Sequence, residues 1–298
     1  MIDLHCHILP GIDDGAPDIS VSLEMARASV ADGVKMLACT PHILPGLYHN
    51  TGPQIRVAVA QLQSALDADG IDLKLITGAD AHIVPDFAGH LKSGHLLSLA
   101  DTRYVLVELP HHVAPARLED CFFQIALAGY VPILTHPERC TWIKQHYETL
   151  RKLVQTGVWM QITAGSLTGA FGGQARYWGE RMLDEGLVHI LATDAHDIRR
   201  RPPNLSRGRD LAAKRLGDAE AQHLVVTRPK GVVENISPAL LPAPASSSAW
   251  PEVSNAENSS RSQRRRGPND DDLQGRDSPA SSSVLRSVTS RLRRIFNT

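Results

Sequence analysis

Two pairs of side chains in this sequence have the spacing of metal ligands. His5 and His7 stand two positions apart in an apolar run near the start of the chain, and Asp194 and His196 repeat the spacing after a later run. Side chains of a β-strand alternate between its faces, so each pair points to one side. Imidazole and carboxylate groups presented together are typical ligands of Mn, Fe or Zn.

More His, Asp and Glu residues follow other apolar runs. Those at or just past the ends of predicted strands are His42, Asp80, His82, Glu108 and His136. We expect His82 to support a ligand rather than to bind a cation. One run ends instead in Gln161 and Thr163, which are poor ligands. Because the other donors exceed the needs of one cation, the pattern predicts two or three clustered divalent ions with a bridging carboxylate.

The loop that follows the first run, GIDDGA, contains Asp13 and Asp14. One of these carboxylates could bind a metal while the other serves as a turn or cap residue. The alternative is that both are solvated loop acids. This alternative explains Asp13 as well as metal binding does, but it explains Asp14 less well.

Strands and helices alternate along the chain and must position these groups. Helical spacing of apolar residues separates the runs, and Gly33, Gly70, Gly129, Gly157 and Gly186 each follow a helical pattern, where a helix end favours glycine. The predicted strands are 2–7, 34–40, 73–78, 104–109, 131–135, 158–163 and 188–193.

This alternation predicts an α/β fold with a parallel sheet covered by helices. Seven strands favour a closed or nearly closed, TIM-like (β/α) barrel, in which the carboxyl ends of the strands carry the active site. A doubly wound sheet is the alternative, but the glycine-rich loop GxGxxG or GxxxxGK[ST] expected there is absent from the sequence.

Composition divides the chain into three parts. Residues 1–237 carry the strand and helix pattern and form the predicted catalytic domain. Residues 238–283 are rich in Ser, Pro and Arg and predict a disordered linker. Residues 284–298 predict a short basic amphipathic helix that contacts an anionic membrane or a partner, with a frayed, solvated tail as the alternative.

Charge and cysteine content limit the class of protein. The formal net charge of −1 argues against nucleic-acid binding. The four cysteines have neither zinc-knuckle nor CxxC spacing, and the sequence contains neither a signal-peptide pattern nor an apolar run of membrane-spanning length. We therefore expect a cytoplasmic protein, held at the inner face of the membrane if its tail binds there.

Several motifs resemble the PHP superfamily (polymerase and histidinol phosphatase). They are MIDLHCHILPGIDDG at the N-terminus, TPH at 40–42, HPER at 136–139, and TDAH followed by RPP within 193–203. The resemblance extends to about Val233 and is to the bacterial tyrosine-protein phosphatases of capsule and exopolysaccharide operons. It implies a distorted seven-stranded (β/α) barrel, a metal cluster that commonly contains manganese, and a phosphotyrosine protein as substrate, usually a membrane-bound tyrosine autokinase.

The resemblance also implies roles for individual residues. Arg139 and Arg201 would bind phosphate through planar guanidinium groups, with Arg199 and Arg200 as alternatives. Asp80 stands where the family often has a bridging Glu, so its shorter side chain puts metal spacing in question. The implied ligands are His5, His7, Asp14, His42, Asp80, Glu108, His136, Asp194 and His196.

The predicted reaction is in-line attack on phosphorus by a metal-bound hydroxide, with His82 or His112 protonating the leaving phenolate. A cysteine-based mechanism is excluded because none of the four cysteines has an Arg six residues on. The alternatives are a small-molecule phosphatase of the histidinol-phosphate type, a nuclease that the low net charge disfavours, and a non-catalytic kinase-binding adaptor.

Overall fold

The computed structural model describes residues 1–247. The predicted amphipathic helix at 284–298 and most of the predicted linker lie outside the described residues. Every predicted strand is present in the described part, with ends that shift by at most two residues.

The strands and helices alternate as predicted. The strands are β1 Ile2–Cys6, β2 Met36–Cys39, β3 His42–Leu44, β4 Tyr48–His49, β5 Lys74–Thr77, β6 Asp80–His82, β7 Tyr104–Glu108, β8 Val131–Thr135, β9 Trp159–Thr163 and β10 Ile190–Ala192. The helices are α1 Ile19–Ala31, α2 Gly52–Ala68, α3 Phe87–Lys92, α4 Leu118–Leu127, α5 Ile143–Gln155, α6 Ala164–Thr168, α7 Gly172–Asp184, α8 Leu205–Leu216, α9 Asp218–Gln222 and α10 Arg228–Val233.

Local sequence signals explain where several helices begin and end. The Asp18 side chain accepts hydrogen bonds from the backbone N–H groups of Ser20 and Val21 and so caps α1. At the start of α2, the Thr51 N–H donates to the Gln54 side chain. The predicted stop at Gly157 is confirmed, since φ there is +98° and favours glycine.

The strands form two hydrogen-bonded sheets. One has the order β1-β2-β5, and the other has the order β10-β9-β8-β7-β6-β3-β4. All pairs are parallel except the hairpin of β3 and β4. The parallel α/β architecture is therefore confirmed.

The predicted closed or nearly closed seven-stranded barrel is not confirmed, because residues 1–247 contain no continuous hydrogen-bonded ring. β2 lies within the second predicted strand, and the short strand β3 follows it beyond Pro41, which has no N–H to donate. β5 lies within the third predicted strand, and the short strand β6 follows it beyond Gly78. A Cβ on Gly78 would lie 2.8 Å from Cδ2 of Leu99, so the chains approach closely there. β2 pairs with β1 and β5 pairs with β2, whereas β6 pairs with β7 and β3 pairs with β6.

The two sheets also meet where β1 passes the end of β10. Cys6 forms a parallel bridge with Ala195, and the Asp194 N–H donates to the His5 carbonyl at 2.8 Å. This contact brings the first and last candidate ligand pairs side by side, although they are separated by nearly 190 residues.

The chain stays attached to the domain beyond Ser237. Arg228 is fully buried, and its guanidinium donates to the carbonyls of Pro242 and Ala243 at 2.7 and 2.9 Å. The Ser247 N–H donates to the Asp184 carbonyl at 2.8 Å. Residues 238–247 thus pack against the domain, past the predicted boundary. No helix in residues 1–247 is long and apolar enough to cross a membrane.

Candidate metal centre

The carboxyl ends of the strands bring together all the residues predicted as metal ligands. Among the described residues, every predicted ligand belongs to a group of at least three side chains. The donor atoms within one group lie within 4.8 Å of one another. The groups are His7, Asp14, His42 and His196; His5, His7 and Asp80; His5, His136 and Asp194; Glu108, His111 and His136; and His42, Asp80 and Glu108. Because neighbouring groups share members, they form one continuous cluster.

Hydrogen bonds orient the imidazoles of His5 and His7. Nδ1 of His5 lies 2.8 Å from Oε1 of Gln161, and Nδ1 of His7 lies 2.8 Å from Oδ2 of Asp13. An acceptor oxygen at Nδ1 assigns the hydrogen to that nitrogen and leaves Nε2 with a free lone pair. Both Nε2 atoms lie 3.3 Å from Oδ1 of Asp194. The two rings are thus held in the tautomer that ligation requires.

Asp80 lies at the centre of the cluster. Its Oδ2 is 3.4 Å from Nε2 of His5, 3.5 Å from Nδ1 of His42 and 3.8 Å from Nε2 of His136. The other oxygen, Oδ1, accepts a hydrogen bond from Thr135 at 3.2 Å. The aspartate therefore reaches imidazoles of two adjacent candidate groups despite being one methylene shorter than glutamate.

The loop after β1 brings Asp14 to the cluster. Oδ1 of Asp14 lies 3.4 Å from Nε2 of His196 and 3.5 Å from Nε2 of His42. Close packing fixes this loop, since a Cβ on Gly15 would lie 2.0 Å from the His7 carbonyl oxygen. Asp13 is buried and accepts from the N–H groups of Gly15 and His42 as well as facing His7. Asp13 thus orients a candidate ligand and is not a solvated loop acid.

Glu108 lies at the end of β7, and His136 directly follows β8. Nε2 of His111 lies 3.3 Å from Nδ1 of His136 and 3.8 Å from Oε1 of Glu108. His82, predicted to support a ligand, has its Nε2 3.7 Å from Oε2 of Glu108. His112, the other predicted proton donor, is exposed.

Two candidate ligands have strained backbone conformations. His136 has φ of +34° and Asp194 has φ of +50°, and residues other than glycine rarely adopt such values. Backbone hydrogen bonds hold both, because the His136 N–H donates to the Gln161 carbonyl and the Asp194 N–H to the His5 carbonyl, each at 2.8 Å. Such strain is common where a fold must aim side chains into a site.

The electrostatics of the cluster favour a cation. Burial lowers the pKa of His5, but the carboxylates of Asp80 and Asp194 outweigh it and raise the pKa to about 9. Burial and the nearby Arg139 guanidinium lower the pKa of His136 to about 3, so its imidazole is neutral at pH 7. The His136 imidazole is thus a neutral donor, while the carboxylates beside His5 stabilise positive charge.

Arg139 and Arg201 reach the same edge of the cluster. Nη1 of Arg139 and Nη2 of Arg201 both donate to Oδ2 of Asp194. The Phe171 ring covers both guanidiniums, with its centroid 4.4 Å from Cζ of Arg139 and 5.7 Å from Cζ of Arg201. Both arginines therefore flank the candidate metal ligands.

The residues fit a group of divalent cations. Nδ1 of His42, Oδ2 of Asp80 and Nε2 of His196 are buried and have no hydrogen-bond partner within residues 1–247. Buried polar atoms without partners are costly, and a cation would satisfy all three. Two ligands bound at about 2.1 Å to one ion lie roughly 3.0–3.5 Å apart, which matches the spacings around Asp194 and Asp80.

Comparison with known proteins places this geometry in a family. Residues 1–234 match the family of capsular polysaccharide synthesis proteins CpsB/CapC. The chain belongs to the CpsB/CapC family. The tyrosine-protein phosphatase YwqE of Bacillus subtilis is 41% identical over 201 residues, which are 67% of this chain and 79% of YwqE. The tyrosine-protein phosphatase CpsB of Streptococcus pneumoniae is 26% identical over 238 residues, 78% of this chain and 98% of CpsB.

A solved structure supports the same relationship. A chain from the crystal structures of YwqE from Bacillus subtilis and CpsB from Streptococcus pneumoniae, described as unique metal-dependent tyrosine phosphatases, superposes with a TM-score of 0.76. It has 36% sequence identity and the alignment covers 79% of this chain and 95% of that one. This CpsB/CapC member therefore shares both sequence and fold with metal-dependent enzymes.

Sequence reasoning missed several residues of the CpsB/CapC site. Gln161 was considered only as a poor ligand, whereas it orients His5. His111 and Phe171 were not identified. The adjacent histidines at 111–112 could have indicated His111. No sequence motif indicates Phe171, because only the fold brings it to the arginines.

Proposed function

We propose that this chain is a metal-dependent protein-tyrosine phosphatase of the polysaccharide-synthesis type. The observation that carries the proposal is the convergence of the predicted imidazoles and carboxylates at one strand edge, with Arg139 and Arg201 beside them. The family and the names of the relatives support the same reaction.

The ligands proposed for the metals are those predicted from the sequence. Asp80, shared by two candidate groups, is the proposed bridging carboxylate, and His111 is added as a neighbour of His136. Manganese is the proposed metal, with Fe or Zn as alternatives, in two or three sites. Bound divalent cations would polarise the phosphate and supply hydroxide near neutral pH from a water of lowered pKa.

The arginines are proposed to bind the phosphate. Each guanidinium would donate to phosphate oxygens and offset the negative charge that grows on them as the phosphoester bond breaks. Asp194 keeps both guanidiniums at the cluster, and Phe171 packs against them. His82 is partly exposed beside Glu108, and it is the proposed donor of a proton to the tyrosine oxygen.

The proposed substrate is the phosphotyrosine of a membrane-bound tyrosine autokinase that regulates exopolysaccharide synthesis. The basic stretch at 284–298 is proposed to bring the enzyme to the inner face of that membrane. Deletion of residues 248–298 tests the second point, because it leaves the packed segment 238–247 in place. Unchanged membrane recruitment after this deletion would remove the tethering role.

Metal restoration is the direct test of the reaction. Metal-stripped protein receives Mn, Fe, Zn or Mg one at a time, and hydrolysis of a phosphotyrosine peptide, a phosphoserine peptide, histidinol phosphate and DNA is measured. We expect phosphotyrosine hydrolysis that depends on the metal, with Mn most effective. Arg201→Gln and Arg139→Gln should each lower kcat/KM about 100-fold, as loss of a transition-state donor does, while Arg176→Gln on the surface should not.

Other outcomes identify the alternatives. Faster hydrolysis of histidinol phosphate than of the phosphotyrosine peptide would favour a small-molecule phosphatase. Metal binding without turnover of any substrate would favour a kinase-binding adaptor. Either result would overturn the proposed reaction while leaving the metal cluster intact.

A further inference from the structure

Three arginines beside the candidate phosphate site lack acidic partners. Arg199, Arg200 and Arg207 make no side-chain hydrogen bond or ion pair to any residue of the described chain, 1–247. Other surface arginines are paired, as Arg56 is with Asp101 and Arg215 with Asp184. Unpaired guanidiniums gathered at one place create a local positive potential.

These arginines line one cavity. A cavity of about 220 Å³ is lined by Arg199, Arg200, Arg201 and Arg207, together with Phe171, and contains no acidic residue in its lining. It is smaller than the roughly 300–1,000 Å³ typical of sites for whole small molecules. Its size suits a side chain or a single phosphate group.

The cavity adjoins the candidate metal centre. Arg201 belongs to both, since it lines the cavity and donates to Asp194. Phe171 also lines the cavity while its ring covers Arg139 and Arg201. A substrate whose phosphate binds at the arginines of the metal centre would therefore have its neighbouring groups at this cavity.

The nearby acidic and helix-end groups are already engaged elsewhere. Oδ1 of Asp197 accepts from the backbone N–H groups of Arg199 and Arg200, each at 2.5 Å, so this carboxylate shapes the loop. Asp32 accepts from the first N–H groups of α8, and the Asn204 side chain accepts from the Arg207 N–H. The positive character of the cavity therefore comes from guanidinium groups.

We propose that this cavity is an anion subsite that binds an acidic group next to the phosphotyrosine of the substrate protein. The group is either the carboxylate of Asp or Glu or the phosphate of a second phosphotyrosine, both of which guanidinium binds as a planar fork. The proposal rests on the proposed function, because it assigns the substrate preference of the same site.

Matched phosphotyrosine peptides test the subsite with the metal-loaded, full-length enzyme. The peptides carry neutral flanks, Glu at neighbouring positions, or a second phosphotyrosine one to four residues away. We expect kcat/KM to be at least about fivefold higher for one of the acidic sets, mainly through a lower KM. This corresponds to one favourable exposed charge pair. The glutamate and phosphotyrosine arms identify which anion is preferred.

Variants assign the preference to the cavity. Arg207→Gln, and the triple variant R199Q/R200Q/R207Q, should each reduce the preference by about fivefold or more. Arg207→Gln should leave hydrolysis of the neutral peptide and of p-nitrophenyl phosphate unchanged. Arg103→Gln, at the opposite end of the strands, is the matched control for loss of one charge. A preference that survives in the triple variant, or no preference in the wild type, would overturn the proposal.

A binding measurement separates this proposal from the proposed reaction. The same peptides with phosphonomethylphenylalanine in place of the phosphotyrosine cannot be hydrolysed, and their Kd is measured by fluorescence anisotropy. A preference for acidic flanks that the triple variant loses would support the subsite even if turnover were absent. Equal Kd values for neutral and acidic peptides would contradict it even if phosphotyrosine hydrolysis were rapid.

Discussion

The Nε2 atoms of His5 and His7 lie 3.2 Å apart at the buried end of β1. Each ring has an acceptor oxygen at Nδ1, so two Nε2 lone pairs face one another. A positive charge must offset their repulsion. The raised pKa of His5, about 9, shows that buried carboxylates favour such a charge. A divalent cation bound to both nitrogens would supply that charge.

Removing the acceptor of His7 should weaken metal binding. Asp13→Ala leaves Nδ1 of His7 without its oxygen, and we expect the affinity for Mn²⁺ to fall about 10- to 100-fold, the usual effect of losing a ligand's supporting hydrogen bond. Asp13→Asn keeps an acceptor and should recover part of the affinity. Calorimetric titration of metal-stripped protein measures the change. Asp72→Ala removes an exposed carboxylate and serves as the control; equal affinities for all variants would contradict the orienting role.

The loop of Asp13, Asp14 and Gly15 packs closely, so we expect a substitution at Gly15 to disturb it. A Cβ on Gly15 would lie 2.0 Å from the carbonyl oxygen and 2.6 Å from Cβ of His7, and backbone atoms cannot move aside cheaply. Gly15→Ala should therefore displace the loop, cost about 1–3 kcal/mol of stability, and lower Mn²⁺ affinity. Thermal unfolding with and without Mn²⁺ tests both effects. Gly173→Ala meets open space on α7 and should lower neither stability nor Mn²⁺ affinity.

A buried histidine away from the metal centre should make stability depend on pH. Burial and the Arg228 guanidinium lower the pKa of His189 to about 3, and its Nδ1 faces the Met160 N–H at 3.2 Å. The unfolded chain, with a pKa near 6.5, binds more protons between pH 6.5 and 3. Stability should therefore fall as pH drops through this window, by about 2 kcal/mol at pH 5 from this group.

Urea unfolding of metal-stripped protein at pH 7.5 and pH 5.0 measures this term. His189→Gln should reduce the difference in unfolding free energy between the two pH values by about 2 kcal/mol relative to wild type. His95→Gln, at an exposed position, should not change it. The same pH difference in wild type and His189→Gln would show that the buried imidazole does not titrate as argued.

Because residues 238–247 pack against the domain, truncation before this segment and truncation after it should affect stability differently. A chain ending at residue 237 leaves the buried Arg228 without the carbonyls of Pro242 and Ala243, whereas a chain ending at 247 keeps both. Lost hydrogen bonds to a buried charged group cost about 1.5–3 kcal/mol each. The shorter chain should unfold at a Tm lower by about 5 °C or more. Equal Tm values for the two truncations would mean that the segment does not contribute to stability.

The sequence predicted strand positions and convergent side chains better than it predicted closure of the sheet. Apolar runs identify buried strands such as β8, whose bounds are those predicted. The division of β2 from β3 at Pro41 depends on how neighbouring strands cross, and an apolar run followed by TPH does not specify it. The list of strands is therefore confirmed, whereas closure of the barrel is not.

The same limit applies to the site. His5 and His7 could be predicted because a strand places alternate residues on one face. Asp13, Gln161 and His111 act through contacts across loops and between strands, where sequence spacing carries no such rule. Their roles required coordinates, and the ligand assignments themselves stay predictions.

Anomalous diffraction from crystals grown with Mn²⁺ tests the central claim most directly. The cluster predicts at least two manganese peaks within bonding distance of the imidazoles and carboxylates around Asp80 and Asp194. Peaks that are absent from this edge, or that lie elsewhere in a protein that still hydrolyses phosphotyrosine, would contradict it.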